Sequence, residues 1–468
     1  MALWKEWFRC IQALRPACAR GRTFMWMCLA LFGLCTRSDL GGVTSLVRAG
    51  GLVAKAYPRL LHLFHAPALA LDKLTELWVR LALKLFTPLR AGTRPIFVAD
   101  GLKTAKEGRK MPAVKLLHQE STDNSKPEFI FGHSFQAVGL LVRGPLGQVF
   151  SLPLASRIHE GLVFCNANRR SLLDKLVQLF LPIVKVLDEP SLLVADAYYA
   201  SRKIILPLLE TGHHLVTRVR TTTVAYREPP KPKARHRGRP RLYGAKVRLR
   251  NIWKEKHLFR TAHSPVYGET SIRLRYLVVD LRWRPVGKIV RFVFVDHPNR
   301  GRIILMTTDT SLEALEVITI YGHRFKIEVG FKQALHTLGS YAYHFWMMDM
   351  KPSSRRSGDQ YVHKESEDYR RLVRRKMDAY HRFVQLGCIA QGILQHLSLN
   401  FRTVVWEYFG SWLRTMKPSA PPSEAVVAQS LRSSLPEYLA SVDDDHGLKK
   451  IIVDNADIER CPALQLVG

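Results

Sequence analysis

Apolar side chains at helical spacing dominate the first part of the chain. In residues 1–92 they recur every three or four positions, for example from Leu60 to Trp78, which predicts a set of packed helices. The longest strongly apolar run, Phe24–Cys35, has 12 residues. A bilayer needs about 20, so this run predicts a buried core helix. Residues 39–65 fit a helix-turn-helix and an ordinary small bundle equally well.

A different pattern begins near residue 93. Phe129–Arg143 and Gln148–Leu154 predict paired strands that meet at a Gly-Pro turn. Pro95–Asp100 and Ser191–Asp196 are short apolar runs that each end in a carboxylate, and a helical pattern over Ser171–Leu187 lies between them. Strand pairs followed by strand–helix alternation predict a mixed α/β sheet with helices on its faces.

Further strands and helices are predicted in the second half. Thr310, with Glu313 three residues later, fits a capping box, and the helical period predicts one long helix to about Leu338. A Pro/Ser-rich linker at 417–423 precedes a tail that we expect to be weakly structured. Before Thr310 we predict strands at Ser271–Asp280, Lys288–Val295 and Arg302–Thr307. After Leu338 we predict helices at Leu372–Leu399 and Phe401–Leu413.

The net charge of the chain indicates which kind of molecule it binds. The 468 residues include 71 Lys and Arg against 39 Asp and Glu, a formal net charge of +32. This surplus argues against a protein that handles only small metabolites, and it favours nucleic acid first and an anionic membrane surface second. Residues 218–260 alone hold 15 Lys or Arg and two Glu, and the proline-rich core of this run, residues 231–241, predicts an extended basic loop.

The cysteines bear on the compartment. All 7 are scattered, without a CxxC pair or a metal-ligand spacing. They therefore favour a reducing compartment over a disulfide framework, and we expect a cytoplasmic protein.

Two strand ends suggest a metal site. The tripeptide Val-Ala-Asp ends both apolar runs, at Asp100 and at Asp196. If the two strands are neighbours, their carboxylates lie close together and need a divalent cation such as Mg²⁺ to neutralise them. The alternative is that each Asp is only a turn or cap residue.

One face of the predicted long helix concentrates polar groups. At about 100° per residue, Tyr321, Arg324, Glu328 and Lys332 fall on a stripe about 80° wide. This stripe could be an anion-handling face with one carboxylate in its middle, or a solvated face with ion pairs one turn apart. Apolar neighbours such as Ile320 and Ile327 leave little of the helix for solvent.

These residues together resemble a known family. Tyr321-x2-Arg324-x3-Glu328 is similar to the signature of DDE transposases of bacterial insertion sequences, in the subgroup with Tyr-x2-Arg-x3-Glu-x6-Lys. The resemblance includes both strand-end Asp residues and covers roughly residues 93–350. The signature Lys would fall at Leu335, and Lys332, one turn earlier, could stand in for it.

The resemblance implies a fold and a chemistry. It implies an RNase H-like mixed sheet with helices on both faces and a β-rich insertion between the second and third acids. Asp100, Asp196 and Glu328 would hold two Mg²⁺ or Mn²⁺ ions for attack on a DNA phosphodiester, without a small-molecule cofactor. Tyr321 and Arg324 would grip a phosphate near the scissile bond.

The segmentation that follows has five parts. We expect a helical N-terminal DNA-binding domain at 1–92, the first part of the catalytic core at 93–218, the basic β-strand insertion at 219–287, the second part of the core with the glutamate helix at 288–345, and a helical C-terminal region with a tail at 346–468.

Several basic and aromatic residues are candidate DNA contacts. Arg237, Arg239 and Arg241 form an Arg-Gly-Arg-Pro-Arg segment that resembles an AT-hook core, although a loop that tracks phosphates non-specifically is the stronger alternative. Trp253 and Trp283 could stack on a flipped base, or simply pack in the core. Lys103, Arg109 and Lys110, with Lys106 and Lys115, form either a solvated basic loop or a loop that contacts the DNA backbone.

The leading hypothesis is a DNA transposase that binds element ends, cleaves DNA and joins 3′ ends to target DNA. We expect a homodimer on DNA, associated with the bacterial nucleoid and not with a membrane. The alternatives are a non-catalytic DNA-binding relative, which the charge alone would support, and an RNase H-like nuclease without strand transfer.

Overall fold

The computed structural model describes residues 2–119, 127–167, 170–230, 241–410, 419–443 and 447–457. It is a mixed α/β structure, as the sequence predicted. The helices are α1 Ala2–Gln12, α2 Gly21–Thr36, α3 Gly42–Ala49, α4 Ala56–His65, α5 Leu71–Leu85, α6 Leu172–Lys185, α7 Arg202–Glu210, α8 Leu249–Ile252, α9 Ala314–His323, α10 Lys326–Gln333, α11 Glu367–Asn400, α12 Arg402–Phe409, α13 Glu424–Ser441 and α14 Gly447–Val453.

The strands are mostly antiparallel, with one parallel group. Their bounds are β1 Thr87–Pro88, β2 Arg90–Ala91, β3 Arg94–Ala105, β4 Lys115–His118, β5 Phe129–Arg143, β6 Val149–Ile158, β7 Leu192–Ala195, β8 His214–Val219, β9 Val224–Tyr226, β10 Lys246–Arg248, β11 Arg260–His263, β12 Arg273–Trp283, β13 Lys288–His297 and β14 Gly301–Thr307.

The chain forms two compact units, each assembled from separate stretches. The larger comprises residues 1–87, 101–169 and 327–468, and the smaller comprises 88–100 and 170–326. The five segments expected from the sequence are consecutive in the chain, whereas these units group residues that lie close in space. The five segments therefore stay a prediction.

The larger unit is built around α11. Twenty of its residues are buried, among them Tyr380, Phe383 and Leu394, and it contacts α1, α2, α4, α5, α12 and α13 as well as β6. The predicted apolar helix is α2, in which every residue from Trp26 to Thr36 is buried. In the same unit β5 pairs with β6 and β4, and the predicted Gly-Pro turn joins β5 to β6.

The smaller unit holds the parallel strands. The first part of β3 pairs parallel with β7, β7 pairs parallel with β8, and β14, β13 and β12 follow as antiparallel neighbours. Helix α6 begins at a capping box in which Ser171 and Asp174 bond each other's backbone N–H groups, and this fixes the start that the sequence predicted. Among the described residues, no helix combines the length and the apolar character needed to cross a bilayer.

Two elements differ from expectation. The described residues after the linker, 424–443 and 447–457, do not form a weakly structured tail, because α13 and α14 bury Leu431, Tyr438 and Leu448. The Trp4 indole donates to Leu431 O at 3.2 Å and stacks on the Tyr438 ring at a centroid distance of 6.0 Å. Contacts between the two chain termini, which no local pattern reveals, therefore stabilise these helices.

Candidate active site

The two strand-end aspartates lie on neighbouring strands. In the parallel pairing of β3 with β7, Val98 faces Val194, and each Asp follows its Val by two residues. Neighbouring strands are about 4.8 Å apart, so equal register brings Asp100 and Asp196 to the same edge of the smaller unit. Fully buried apolar residues precede both, and the aspartates themselves are only half-buried.

Each aspartate is held by hydrogen bonds from its own unit. Asp100 accepts from Arg324 Nη1 at 2.9 Å, and each side chain is 19% exposed. Asp196 Oδ1 accepts from the backbone N–H of Tyr198 at 2.9 Å and caps the 3₁₀ turn Ala197–Tyr199. Its carbonyl oxygen accepts from Thr217 Oγ1 at 2.5 Å. The two carboxylates therefore have fixed positions.

Tyr321 belongs to the same cluster. Burial raises the pKa of its phenol above the ordinary value, the nearby Asp196 carboxylate adds to that rise, and Arg324 and Arg218 oppose it. These electrostatic partners place the phenol near both an acid and two guanidinium groups. Sequence reasoning missed Arg218 and Thr217, which both lie on β8.

The single long helix predicted for 310–338 is wrong. Helix α9 begins at Ala314, and Glu313 occupies its N-cap without a side-chain capping bond, so the predicted capping box is absent. The α-helix stops at His323, resumes as α10 and ends as the π-helix Ala334–Leu338. The stripe calculated for a continuous helix therefore does not describe these residues.

A close contact accompanies the interruption. Gly322 precedes it, and a Cβ atom there would lie 2.6 Å from Val266 Cγ1, so a larger residue would require Val266 to shift. Glycine lowers helix propensity by about 1 kcal/mol relative to alanine, which favours a break at this point. Arg324 N donates to Tyr321 O, three residues earlier, instead of to the carbonyl four residues earlier.

Glu328 is the third residue of α10 and lies in the larger unit, half-buried. Buried Ile327 anchors the helix, and Gln391 Nε2 donates to Gly330 O at 3.1 Å. Lys332 is exposed one turn after Glu328, whereas Leu335 lies in the π-helix. Glu328 and Lys332 therefore lie one turn apart on the same short helix, and the replacement of the signature lysine by Lys332 stays a prediction.

The basic residues after Asp100 are anchored more firmly than a solvated loop would be. Lys103 Nζ donates to His118 O at 2.6 Å, Arg109 Nε to Ser353 O at 2.9 Å, and Lys110 Nζ to Met348 O at 3.1 Å. Lys106 is buried, and Lys115 pairs with Glu160 and Asp359. The predicted phosphate contacts of Lys103, Arg109 and Lys110 stay a prediction.

The basic insertion is only partly described. Arg237 and Arg239 lie outside the described residues, and Arg241 is exposed. Trp253 stacks on Phe259 at 5.5 Å between ring centroids, with Arg302 5.2 Å from its ring. Trp283 is 6% exposed and therefore packs in the core. A base-stacking role for Trp253 stays a prediction.

A cluster elsewhere in the described chain has the composition of a metal site. Ligand atoms of Glu6, Cys10 and His396 lie within 4.8 Å of one another. Arg9, however, donates to both Glu6 oxygens and holds the pKa of that carboxyl to about 2, while burial raises the pKa of the Cys10 thiol to about 12. A protonated thiol is not a metal ligand, which opposes metal binding at this cluster.

Comparison with known families gives one match. A model described as DDE superfamily endonuclease matches residues 18–273, which is more than half of the chain. The chain belongs to this family. Membership implies an endonuclease that acts on DNA with divalent metal ions, and the matched range contains both Asp100 and Asp196. It ends before Glu328, and no curated protein matches the chain.

Proposed function

We propose that the protein is a DNA transposase in which Asp100, Asp196 and Glu328 hold divalent metal ions. The observation that carries the proposal is the equal register of the two aspartates at the ends of neighbouring parallel strands. Glu328 comes from the resemblance to the Tyr-Arg-Glu signature, and its position after Tyr321 and Arg324 in the chain supports it.

The donor set fits a hard cation. Carboxylate oxygens are the ligands that Mg²⁺ and Mn²⁺ prefer, and two aspartates side by side repel each other unless positive charge lies between or beside them. Arg324 supplies such a charge to Asp100. When bound, two Mg²⁺ or Mn²⁺ ions would stabilise the attacking and leaving oxygens of a phosphodiester.

The chain's own residues would bind and orient the DNA. Arg324 carries five N–H donors in a planar fork, so it can hold Asp100 and a phosphate oxygen at the same time. Tyr321 would donate its phenolic proton, which burial keeps in place, to the same phosphate. Lys332 and the anchored basic residues after Asp100 would neutralise the flanking backbone.

The proposal extends to the biological setting. Two DNA ends must be held together for transposition, so we expect a homodimer on DNA that also captures target DNA. We also expect the protein to be associated with the bacterial nucleoid.

A plasmid assay tests the proposal. The substrate is a supercoiled plasmid that carries the DNA flanking this coding region, incubated with Mg²⁺, Mn²⁺, Ca²⁺ or EDTA. We expect excised and joined products with Mg²⁺ or Mn²⁺, none with Ca²⁺ or EDTA, and none from Asp100→Asn, Asp196→Asn or Glu328→Gln. Asp280→Asn is the matched control, since Asp280 also lies in a strand but pairs with Arg291 on the adjacent strand.

Other outcomes separate the alternatives. Cleavage without joined products would indicate a nuclease that lacks strand transfer. DNA binding without cleavage, unchanged in all three acid variants, would indicate a non-catalytic DNA-binding protein. Full cleavage in EDTA would contradict the metal site.

A further inference from the structure

An extended segment of the larger unit alternates between buried and exposed side chains. Tyr343, Phe345 and Met347 are buried, at 0%, 3% and 4% exposure. Tyr343 and Phe345 stack on the ring of Tyr380, at centroid distances of 4.6 and 6.1 Å. The intervening side chains are exposed, and we call them the outward row: His344, Trp346 and Met348.

The segment is fixed by hydrogen bonds, although it belongs to none of the strands. Tyr380 Oη donates to Phe345 O at 2.8 Å, and Met347 N donates to Lys110 O at 2.9 Å. The Lys110 ammonium returns to Met348 O, and the Lys106 ammonium reaches Tyr341 O. A rigid backbone therefore presents the outward row, which lowers the entropy cost of binding a partner.

The apolar exposure in this row is unusual for the chain. Trp346 is 65% exposed and Met348 is 85% exposed, the largest values among the exposed large hydrophobic residues that the structure describes. Trp253 and Trp283, the tryptophans that the sequence marked for base stacking, are half-buried and buried. Large exposed apolar side chains on a fixed backbone indicate a contact surface.

Cations surround the outward row along the chain. Lys351, Arg355 and Arg356 are exposed just after it, and Arg109 is exposed on the loop that holds it. Gly108 of that loop lies against the indole, since a Cβ atom there would be 3.2 Å from Trp346 Nε1. The acidic residues next to these cations are Glu107, on the loop with Arg109, and Asp349, which follows Met348. The partner should therefore combine flat apolar groups with negative charge.

We propose that the outward row is a stacking platform for unpaired DNA bases, with Trp346 as its main contact. The inference rests on the proposed function in so far as the partner is DNA. Single-stranded DNA offers both features that the surface requires, since its bases present apolar faces and its phosphates are negative. In a closed duplex the bases stack on each other, so the platform engages DNA that is unpaired or frayed.

A binding assay in Ca²⁺ tests this without cleavage. Fluorescence anisotropy measures the Kd of each variant for a labelled oligo-dT strand and for a blunt duplex of equal length. Loss of a base–aromatic stack weakens binding by roughly tenfold or more, so we expect Trp346→Ala to raise the Kd for oligo-dT by that factor and to change the duplex Kd much less.

Two control variants sharpen the assay. Trp346→Phe keeps an aromatic face and should retain most of the affinity for oligo-dT. Tyr361→Ala removes another exposed aromatic ring of the same unit, 55% exposed and beside Lys364, and should leave both Kd values unchanged.

The outcomes distinguish this inference from the proposed function. Equal oligo-dT affinity of Trp346→Ala and wild type would overturn the stacking platform while leaving the transposase proposal intact. An equal loss on oligo-dT and duplex would also overturn it, because it would indicate backbone contact. If the wild type bound neither DNA, the proposed function itself would fail.

Discussion

Replacing Lys106 with methionine should remove a pH dependence from the stability of the protein. Lys106 follows β3, is 7% exposed, and has its ammonium 3.8 Å from the centroid of the Tyr343 ring. It also donates to Tyr341 O and, at 3.4 Å, to Tyr343 O. Burial lowers the pKa of this amine from 10.5 to about 7.

The magnitude follows from the proton balance. Between pH 7 and 10.5 the unfolded chain binds the proton that the folded chain has released, so the free energy of unfolding rises with pH in this window. Below pH 7 both states are protonated, and the shift corresponds to at most about 5 kcal/mol of destabilisation. From pH 7 to pH 9 the wild type should gain about 2 kcal/mol relative to Lys106→Met.

Urea unfolding at pH 7 and pH 9 measures this difference. Lys106→Met should be as stable as the wild type or more stable at pH 7, because the cost of the buried charge outweighs the lost hydrogen bonds, and its advantage should shrink or reverse at pH 9. Lys103→Met is the control, since Lys103 lies three residues earlier and is only half-buried. If the free energy of unfolding depended on pH in the same way in wild type and Lys106→Met, the buried Lys106 amine would not be the source of the pH dependence.

Three further predictions concern the helix of Glu328 and the DNA. Arg37→Met removes the guanidinium that donates to Leu338 O at 2.8 Å at the end of the π-helix, and should lower the free energy of unfolding by about 2 kcal/mol in urea. Exposed Arg48→Met should leave the free energy of unfolding nearly unchanged. Equal losses of stability in the two variants would show that the buried Arg37 guanidinium does not stabilise the end of the π-helix. Lys332→Ala should reduce strand transfer on the plasmid substrate while Leu335→Lys is tolerated, and the reverse result would show that Lys332 is not the stand-in. DNA affinity should fall steeply between low and moderate salt, since counterions are released at each phosphate contact, and a flat anisotropy titration would oppose this.

Most helices and strands were predicted correctly because the patterns that define them lie within a few consecutive residues. Two apolar runs that flank a Gly-Pro turn predicted β5 and β6, and a helical pattern that begins at Ser171 predicted α6. The same reasoning identified α2 as a core helix from its apolar run, and every residue from Trp26 to Thr36 is buried.

The errors come from contacts between residues far apart in sequence. The interruption after α9 accompanies the close approach of Gly322 to Val266, and α13 is stabilised by Trp4 from the opposite end of the chain. Neither partner is visible within a helical window. The burial of Lys106 was missed for the same reason, since its acceptor carbonyls lie 235 and 237 residues away.

The candidate site likewise combines residues that local patterns predict with contacts that they do not predict. The two strand-end aspartates and the order of Tyr321, Arg324 and Glu328 were evident in the sequence. The support of Asp196 by Thr217 depends on strand register, and the pairing of Arg324 with Asp100 depends on how α9 packs against the strands. The sequence leaves both open.

Metal-directed cleavage of the polypeptide tests the central claim most directly. Fe²⁺ replaces Mg²⁺ in the purified protein, ascorbate and peroxide generate hydroxyl radicals at the bound ion, and mass spectrometry locates the cuts in the chain. The account predicts cuts near Asp100, Asp196 and Glu328, suppressed by excess Mg²⁺ and lost in Asp196→Asn. Cuts near only one of these acids, or an unchanged pattern in the variant, would contradict a metal site built from all three.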